Sequence, residues 1–347
     1  MMLLSAQPPR FRFDAWAADC GDHVRALAWS PNGASLAAVT AAGELCVADI
    51  STRALVHREL AHRGGASCVA WSKTGVLATG GEDGGLRLWR NVSFQSELEL
   101  EGGSGWVEHL AWSPRGDWLA SGSGKHLRLW SAEGTPGLRF AGHESTVAGL
   151  SWRSDGAVLA SVCYGNVRLF KPEEAAPFVT LPYKSPFLSV ALSPRGRYVV
   201  APTFDNSMIC WRLPFREREP LNMSGYPARI KTLAWSADGE WLATGSSVTV
   251  VVWKFSGKGP AGTKPIMLTT HRGALTATQF QRTGALLATG SATGEVFLWH
   301  LGHPDAPVAR QSLGSQAVTA LAWGPDDKTL AVAGADGVLN VLIVTRE

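Results

Sequence analysis

Apolar and polar positions alternate along this chain in bursts of five or six residues separated by glycine-rich turns, and the arrangement of the bursts repeats. Leu77 to Trp89 (LATGGEDGGLRLW) shows the unit most clearly: apolar runs at Leu77 to Gly80 and Leu86 to Trp89 flank Gly81, Glu82, Asp83, Gly84 and Gly85. Runs this short predict strands, and the glycines permit the positive φ that a tight hairpin needs. Upstream, Val69 to Gly75 (VAWSKTG) supplies a further strand and turn. The residue closing the first strand of each copy is Trp29, Trp71, Trp112, Trp152, Leu192, Trp235, Phe280 or Trp323, at successive separations of 42, 41, 40, 40, 43, 45 and 43. Self-similarity at this period, with several strands per copy, is the signature of a β-propeller blade.

The second copy also carries His62, Thr79, Asp83 and Trp89 in sequence. This set resembles the tryptophan-aspartate (WD) repeat family, whose pattern is Gly-His, a hydroxyl residue in the second strand, Asp in the next turn and Trp in the third strand; only the Gly before His is missing. The resemblance covers almost the whole chain and implies a buried relay from Trp89 through Thr79 and His62 to Asp83, making this the stiffest blade. Other copies depart from the pattern. The first has Ala48 where Trp belongs, followed by Asp49. The third, fourth and sixth are each one residue shorter between hydroxyl and aromatic, so they lose the Asp position and cannot complete the relay. The fourth keeps Gly142-His143 and Ser161 but ends in Phe170, and the seventh keeps His271, Thr289 and Trp299 with Thr293 at the Asp position.

Eight copies predict an all-β fold: one closed propeller of eight four-stranded antiparallel blades, with seven as the alternative. The repeats are about 21–61, 62–102, 103–141, 142–182, 183–225, 226–270, 271–313 and 314–347, forming one domain over 1–347 with no tail for a second function. The last copy ends at Glu347 without a fourth strand, and Arg10 to Ala17 is a lone strand before the first. Pairing that strand, about 10–17, with the last blade removes an open sheet edge. The turns Ser30 to Gly33, Ser113 to Gly116 and Ser193 to Gly196 read Ser-Pro-x-Gly, in which Ser opens the turn and Pro presets φ. Leu213 to Arg229 and Lys254 to Pro265 read as longer surface loops.

Composition narrows the function classes. Hydrophobic residues make up 45% and charged residues 18% of the 347, which fits sheets covered on both faces. MMLLSAQPPR lacks a cationic region before its short apolar run and does not read as a secretory signal, so a cytoplasmic protein off the membrane is expected. Five scattered cysteines without a Cys-x-x-Cys pair suggest buried thiols, not a zinc site. No phosphate-binding loop or nucleophile elbow is present, His300 and His303 have no third ligand nearby, and His62, His143 and His271 match structural positions. No catalytic, cofactor or metal residues are therefore assigned.

The expectation is a non-catalytic scaffold or adaptor, monomeric alone, that binds protein partners within a larger complex. The competing readings are an enzyme or small-ligand binder with a site in the central channel, and a propeller that binds nucleic acid or another anion. Of the fifteen tryptophans, eleven fall at packing positions, which leaves Trp16, Trp106, Trp118 and Trp241. Trp106 lies in the loop entering the first strand of copy three, on the face where the family usually contacts partners. Lys184, Arg229, Lys231 and Arg272 lie in or beside equivalent loops. They belong to a basic stretch in blades five and six, Lys184 to Arg272, where twelve cations face five acids. Copies two and three carry the opposite cluster of Glu82, Asp83, Glu97, Glu99, Glu101 and Glu108. Trp106, Lys184, Arg229, Lys231 and Arg272 are thus the candidate contacts for an acidic partner.

Overall fold

The computed structural model describes residues 9–90, 96–103, 105–140, 142–214 and 219–347. The apolar start Met1 to Pro8, the loop residues Phe215, Arg216, Glu217 and Arg218, and the side chain of Glu97 lie outside the described residues. The strands assemble into eight blades, each a short antiparallel meander, arranged in a ring with no helix among the described residues. Blade 2 shows the pattern: Ala66–Trp71, Leu77–Gly81, Gly85–Trp89 and Ser96–Glu101 pair in that order. In blade 4 the span Leu159–Phe170 supplies both middle strands, because it turns at Gly165 with φ 85°.

The ring closes as the repeat count requires. Blade 8 consists of Val318–Trp323, Thr329–Gly334 and Val338–Arg346, and its fourth strand is Phe11–Asp19. The register runs unbroken from Phe11 opposite Arg346 to Asp19 opposite Val338. This strand reaches two residues beyond the end expected from sequence, because Ala18 and Asp19 still find partners in Leu339 and Val338.

Each apolar core cluster is shared by two consecutive blades. Blades 1 and 2 meet through Ala37, Leu45, Leu77 and Trp89, and blades 8 and 1 through Leu339, Val341, Leu36 and Cys46. First-strand tryptophans add a directional link, since each indole N–H can donate to a backbone carbonyl of the preceding blade. Trp29 donates to Ala322 at 2.8 Å, Trp112 to Ala70 at 3.1 Å, Trp152 to Ala111 at 2.9 Å and Trp323 to Gln279 at 3.1 Å. The Trp29 bond crosses the junction between blades 1 and 8. Blade 5 has Leu192 at this position, and its backbone N–H instead reaches the Ser151 hydroxyl at 3.0 Å.

The Ser-Pro-x-Gly turns are held by their serines. Ser30 accepts the Ser35 N–H at 2.9 Å, Ser113 the Trp118 N–H at 3.1 Å and Ser193 the Tyr198 N–H at 2.9 Å. Of the four tryptophans outside the repeat positions, Trp16, Trp118 and Trp241 pack against these clusters. Trp106 is 54% exposed.

Deleting residues 1–18 leaves the Val338–Arg346 edge unpaired, and an exposed edge recruits other chains. The truncated protein is expected to self-associate in analytical ultracentrifugation and to melt at a lower temperature. A monomer with an unchanged melting temperature would contradict closure by Phe11–Asp19.

Candidate functional site

In a meander, the loop entering a first strand and the turn between second and third strands lie at the same end of the sheet, here called the upper face. Blade 2 ties the two together. His62, in the entering loop, lies 2.9 Å from Asp83 Oδ1 through Nδ1 and 2.9 Å from Thr79 Oγ1 through Nε2, while Trp89 Nε1–H donates to Thr79 Oγ1 at 3.0 Å. Asp83 ionised can only accept, so Nδ1 carries the hydrogen and Nε2 accepts the threonine hydroxyl. Arg87 Nη1 lies 2.8 Å from the same Nδ1, but a nitrogen already donating has no lone pair to offer. Arg87 therefore acts through its ion pairs with Asp83 at 3.2 Å and Glu99 at 2.7 Å.

Burial lowers the His62 pKa, against the opposing pull of Asp83, so the ring is neutral at pH 7. Burial works against the Asp83 carboxylate, yet the hydrogen bonds from His62 and the Gly85 N–H outweigh it and hold its pKa at about 2. The Arg63 N–H adds a bond at 3.1 Å. Close packing fixes the neighbour as well: a Cβ on Gly81 would sit 2.3 Å from His62 Cγ, which only glycine avoids.

Other blades pin the same loop with different atoms. In blade 7, His271 Nε2 lies 2.7 Å from Thr289 Oγ1, and Trp299 Nε1–H donates to that oxygen at 2.9 Å. Thr293, at the Asp position, bonds Ser291 instead. Glu295, two residues further on, stands 3.5 Å from His271 Nδ1 and accepts the Arg272 N–H at 2.9 Å, because its longer side chain reaches back where Thr293 cannot. In blade 4, His143 reaches Ser161 at 2.7 Å, but its Nδ1 has no hydrogen-bond partner among the described residues, consistent with the missing Asp position. Burial pushes both His143 and His271 down to about 4. Blade 6 uses a phenol: Trp253 donates to Tyr226 Oη at 2.7 Å, and Tyr226 lies 3.0 Å from Thr244 Oγ1. Blade 5 uses Ser185, whose hydroxyl donates to Asp205 at 2.5 Å.

The five candidate contacts all lie on the upper face, most beside these pinned residues. Lys184 precedes Ser185 at the end of Val179–Pro186, Arg272 follows His271, and Arg229 comes three residues after Tyr226. Lys231 is the second residue of the first strand Ile230–Trp235, not of the loop before it. The four cations are exposed and form no ion pair among the described residues. The guanidinium of Arg229 stacks 3.2 Å from the centroid of the Phe204 ring. The acidic cluster is different: Glu82 pairs with Arg25 at 2.5 Å, and Asp83 and Glu99 pair with Arg87. Much of its field is therefore cancelled locally. Two aromatic residues join Trp106 on this face without having been anticipated, Tyr164 at 56% and Phe204 at 45% exposure. Both sit in turns between second and third strands, where a large aromatic among Gly, Asp and Asn is itself a signal.

No group of three metal-ligating side chains converges among the described residues. His300 and His303 stand as an isolated pair with ring centroids 5.7 Å apart.

A family model described as "WD domain, G-beta repeat" matches residues 94–131, 134–171, 219–254, 262–300 and 309–341, more than half of the chain. One described as "Anaphase-promoting complex subunit 4 WD40 domain" matches residues 13–74. This chain belongs to the WD-repeat family of β-propellers. It is 24% identical over 330 residues to Protein hir1 of Schizosaccharomyces pombe, covering 78% of this chain and 34% of that protein. With SIR4-interacting protein SIF2 of Saccharomyces cerevisiae it shares 24% identity over 197 residues, 52% of this chain and 36% of the relative. With Coronin-7 of Rattus norvegicus it shares 37% over 110 residues, 28% and 12% respectively. The chain thus spans about a third or less of the length of these curated relatives. The crystal structure of the computationally designed Ika8 protein superposes with a TM-score of 0.80 at 21% identity, covering 94% of this chain and 98% of that one, a likeness of fold alone.

Replacing His62 by Ala removes the buried partner of both Asp83 and Thr79 and is expected to cost about 1 to 3 kcal/mol. His300 is only half-buried and its ring accepts the Gly302 N–H at 3.2 Å, so His300→Ala is expected to cost less than His62→Ala. Equal melting shifts for the two variants would show that His62 does not hold blade 2 together.

Proposed function

We propose that this chain is a non-catalytic scaffold, monomeric alone and working in the cytoplasm, which binds an acidic protein partner through the upper face of blades 3 to 7. One observation carries this reading: three exposed aromatic side chains, Trp106, Tyr164 and Phe204, share that face with Lys184, Arg229, Lys231 and Arg272, four exposed cations that form no ion pair among the described residues. Exposed aromatics at a rigid surface supply contact area at little entropic cost, and unpaired cations steer an oppositely charged partner. The cations stand beside Ser185, Tyr226 and His271, so their backbone is already ordered before a partner arrives, which lowers the entropy lost on binding. The name of SIF2 describes it as interacting with SIR4, which supports a binding role for this fold. All five cysteines are free thiols, in keeping with a reducing compartment.

The test begins with affinity capture of the tagged chain and its partner from the native cell. Affinity for the captured protein is then measured at low and high salt, for wild type and for Arg229→Glu with Lys231→Glu. Wild-type binding is expected to weaken steeply as salt rises, and the double variant to bind at least about tenfold more weakly with a shallower salt dependence. Unchanged affinity and salt slope in the double variant would remove blades 5 and 6 from the interface.

A further inference from the structure

A cleft of about 630 Å³ opens between blades 4 and 5 on the lower face, where first strands turn into second strands and third into fourth. It lies at the opposite end of the strands from Phe204: along Tyr198–Pro202 and Met208–Arg212, Phe204 sits beyond one end, whereas Arg197 and Arg212 sit at the other. Val158 and Leu192 give the cleft an apolar floor, and Phe178, 43% exposed, stands at its edge. Arg153, Arg197 and Arg212 line it, and among the described residues no acidic side chain does.

The three arginines are not equivalent. Arg153 is neutralised by Asp155, with Nε and Nη2 each 2.8 Å from a carboxylate oxygen. Arg197 and Arg212 form no ion pair among the described residues. The Arg197 carbonyl accepts the Leu213 N–H at 2.7 Å and Arg212 stands opposite Tyr198, so both arginines lie at the lower end of blade 5, where each lines the cleft. Glu240 shares only the narrow neighbouring groove with Arg197, a space of about 70 Å³, and forms no ion pair with it. A carboxylate entering the cleft can pair with either guanidinium, neither of which has an acidic partner among the described residues. The volume suits a side chain or small ligand, which a concave apolar site buries well. Lys171 Nζ stands over one face of the Phe178 ring at 5.7 Å from its centroid.

We propose that this cleft is a second protein-docking site, which takes an acidic peptide segment by one large apolar side chain and holds its flanking carboxylates on Arg197 and Arg212. It uses residues separate from the upper face and stands independently of the function proposed for that face. The test selects binders from a random-peptide display library on the immobilised full chain, then measures the enriched peptides by fluorescence anisotropy. Peptides combining acidic residues with a large apolar side chain are expected to emerge. Replacing that side chain by Ala, or the acids by Lys, is expected to weaken binding about tenfold or more, and so is Arg197→Glu with Arg212→Glu on the protein. Arg229→Glu with Lys231→Glu is expected to leave this affinity unchanged. The proposal is overturned if no acidic-apolar peptide is enriched, if the enriched peptides bind the lower-face variant as tightly as wild type, or if only the upper-face variant weakens them. It is equally overturned if a single-stranded oligonucleotide of the same charge competes as well as the peptide.

Discussion

A row of sheets packed face to face leaves apolar surface at each end and an unpaired strand at its margin, and only closing the row into a ring removes both. In this chain closure depends on the ladder between Phe11–Asp19 and Val338–Arg346, two segments that are distant in sequence. The adjoining apolar cluster joins Leu36, Ala38 and Cys46 of blade 1 to Leu339 and Val341 of blade 8, and Trp29 bonds across the same junction to Ala322. Every other blade boundary is built between neighbours in sequence. This one carries the loop-closure entropy of the whole ring.

Rigidity of the ring reaches the upper face through the short polar chains inside the blades. His62 with Asp83, His271 with Glu295, Tyr226 with Thr244 and Ser185 with Asp205 all do one job with different atoms: they fasten the loop between blades to a strand or turn of the blade it enters. Burial keeps the three histidines neutral at pH 7, so these fastenings do not depend on a charge that ordinary pH changes would remove. Lys184, Arg229 and Arg272 stand beside these fastenings, with Phe204 between Lys184 and Arg229, while Tyr164 and Trp106 extend the surface over blades 4 and 3. A binding surface assembled from loops thus gains the fixed spacing of a sheet. On the lower face the chemistry differs, with tight serine-held turns and, between blades 4 and 5, an apolar cleft edged by arginines.

The period of the strand-closing residues, Trp29 through Trp323, made the blade count legible, and the lone apolar run near Phe11 made the closure legible, because packing imposes both on the sequence. The relay of blade 2 was readable for the same reason, its four residues standing at fixed offsets. What the sequence hid were the substitutions of role. Glu295 stands two residues beyond the position of Asp83 and works only because its side chain is longer, and Tyr226 replaces a histidine with a group of different shape. The charge pattern misled in part: counting acids in blades 2 and 3 could not reveal that Arg25 and Arg87 neutralise Glu82, Asp83 and Glu99 across strand and blade boundaries. The cleft of Arg197 and Arg212 was equally hidden, since its walls come from two blades some forty residues apart.

The upper-face assignment is tested most directly by a hydrogen-exchange footprint, comparing the amides of the chain alone with those of the chain bound to its captured partner. Slowed exchange is expected in the loops and turns around Trp106, Tyr164, Phe204 and Arg229, with the interior strands of the blades unchanged because they are already fully bonded. Slowed exchange confined to the outer strands of the rim, with those four positions unaffected, would contradict a partner seated on the upper face.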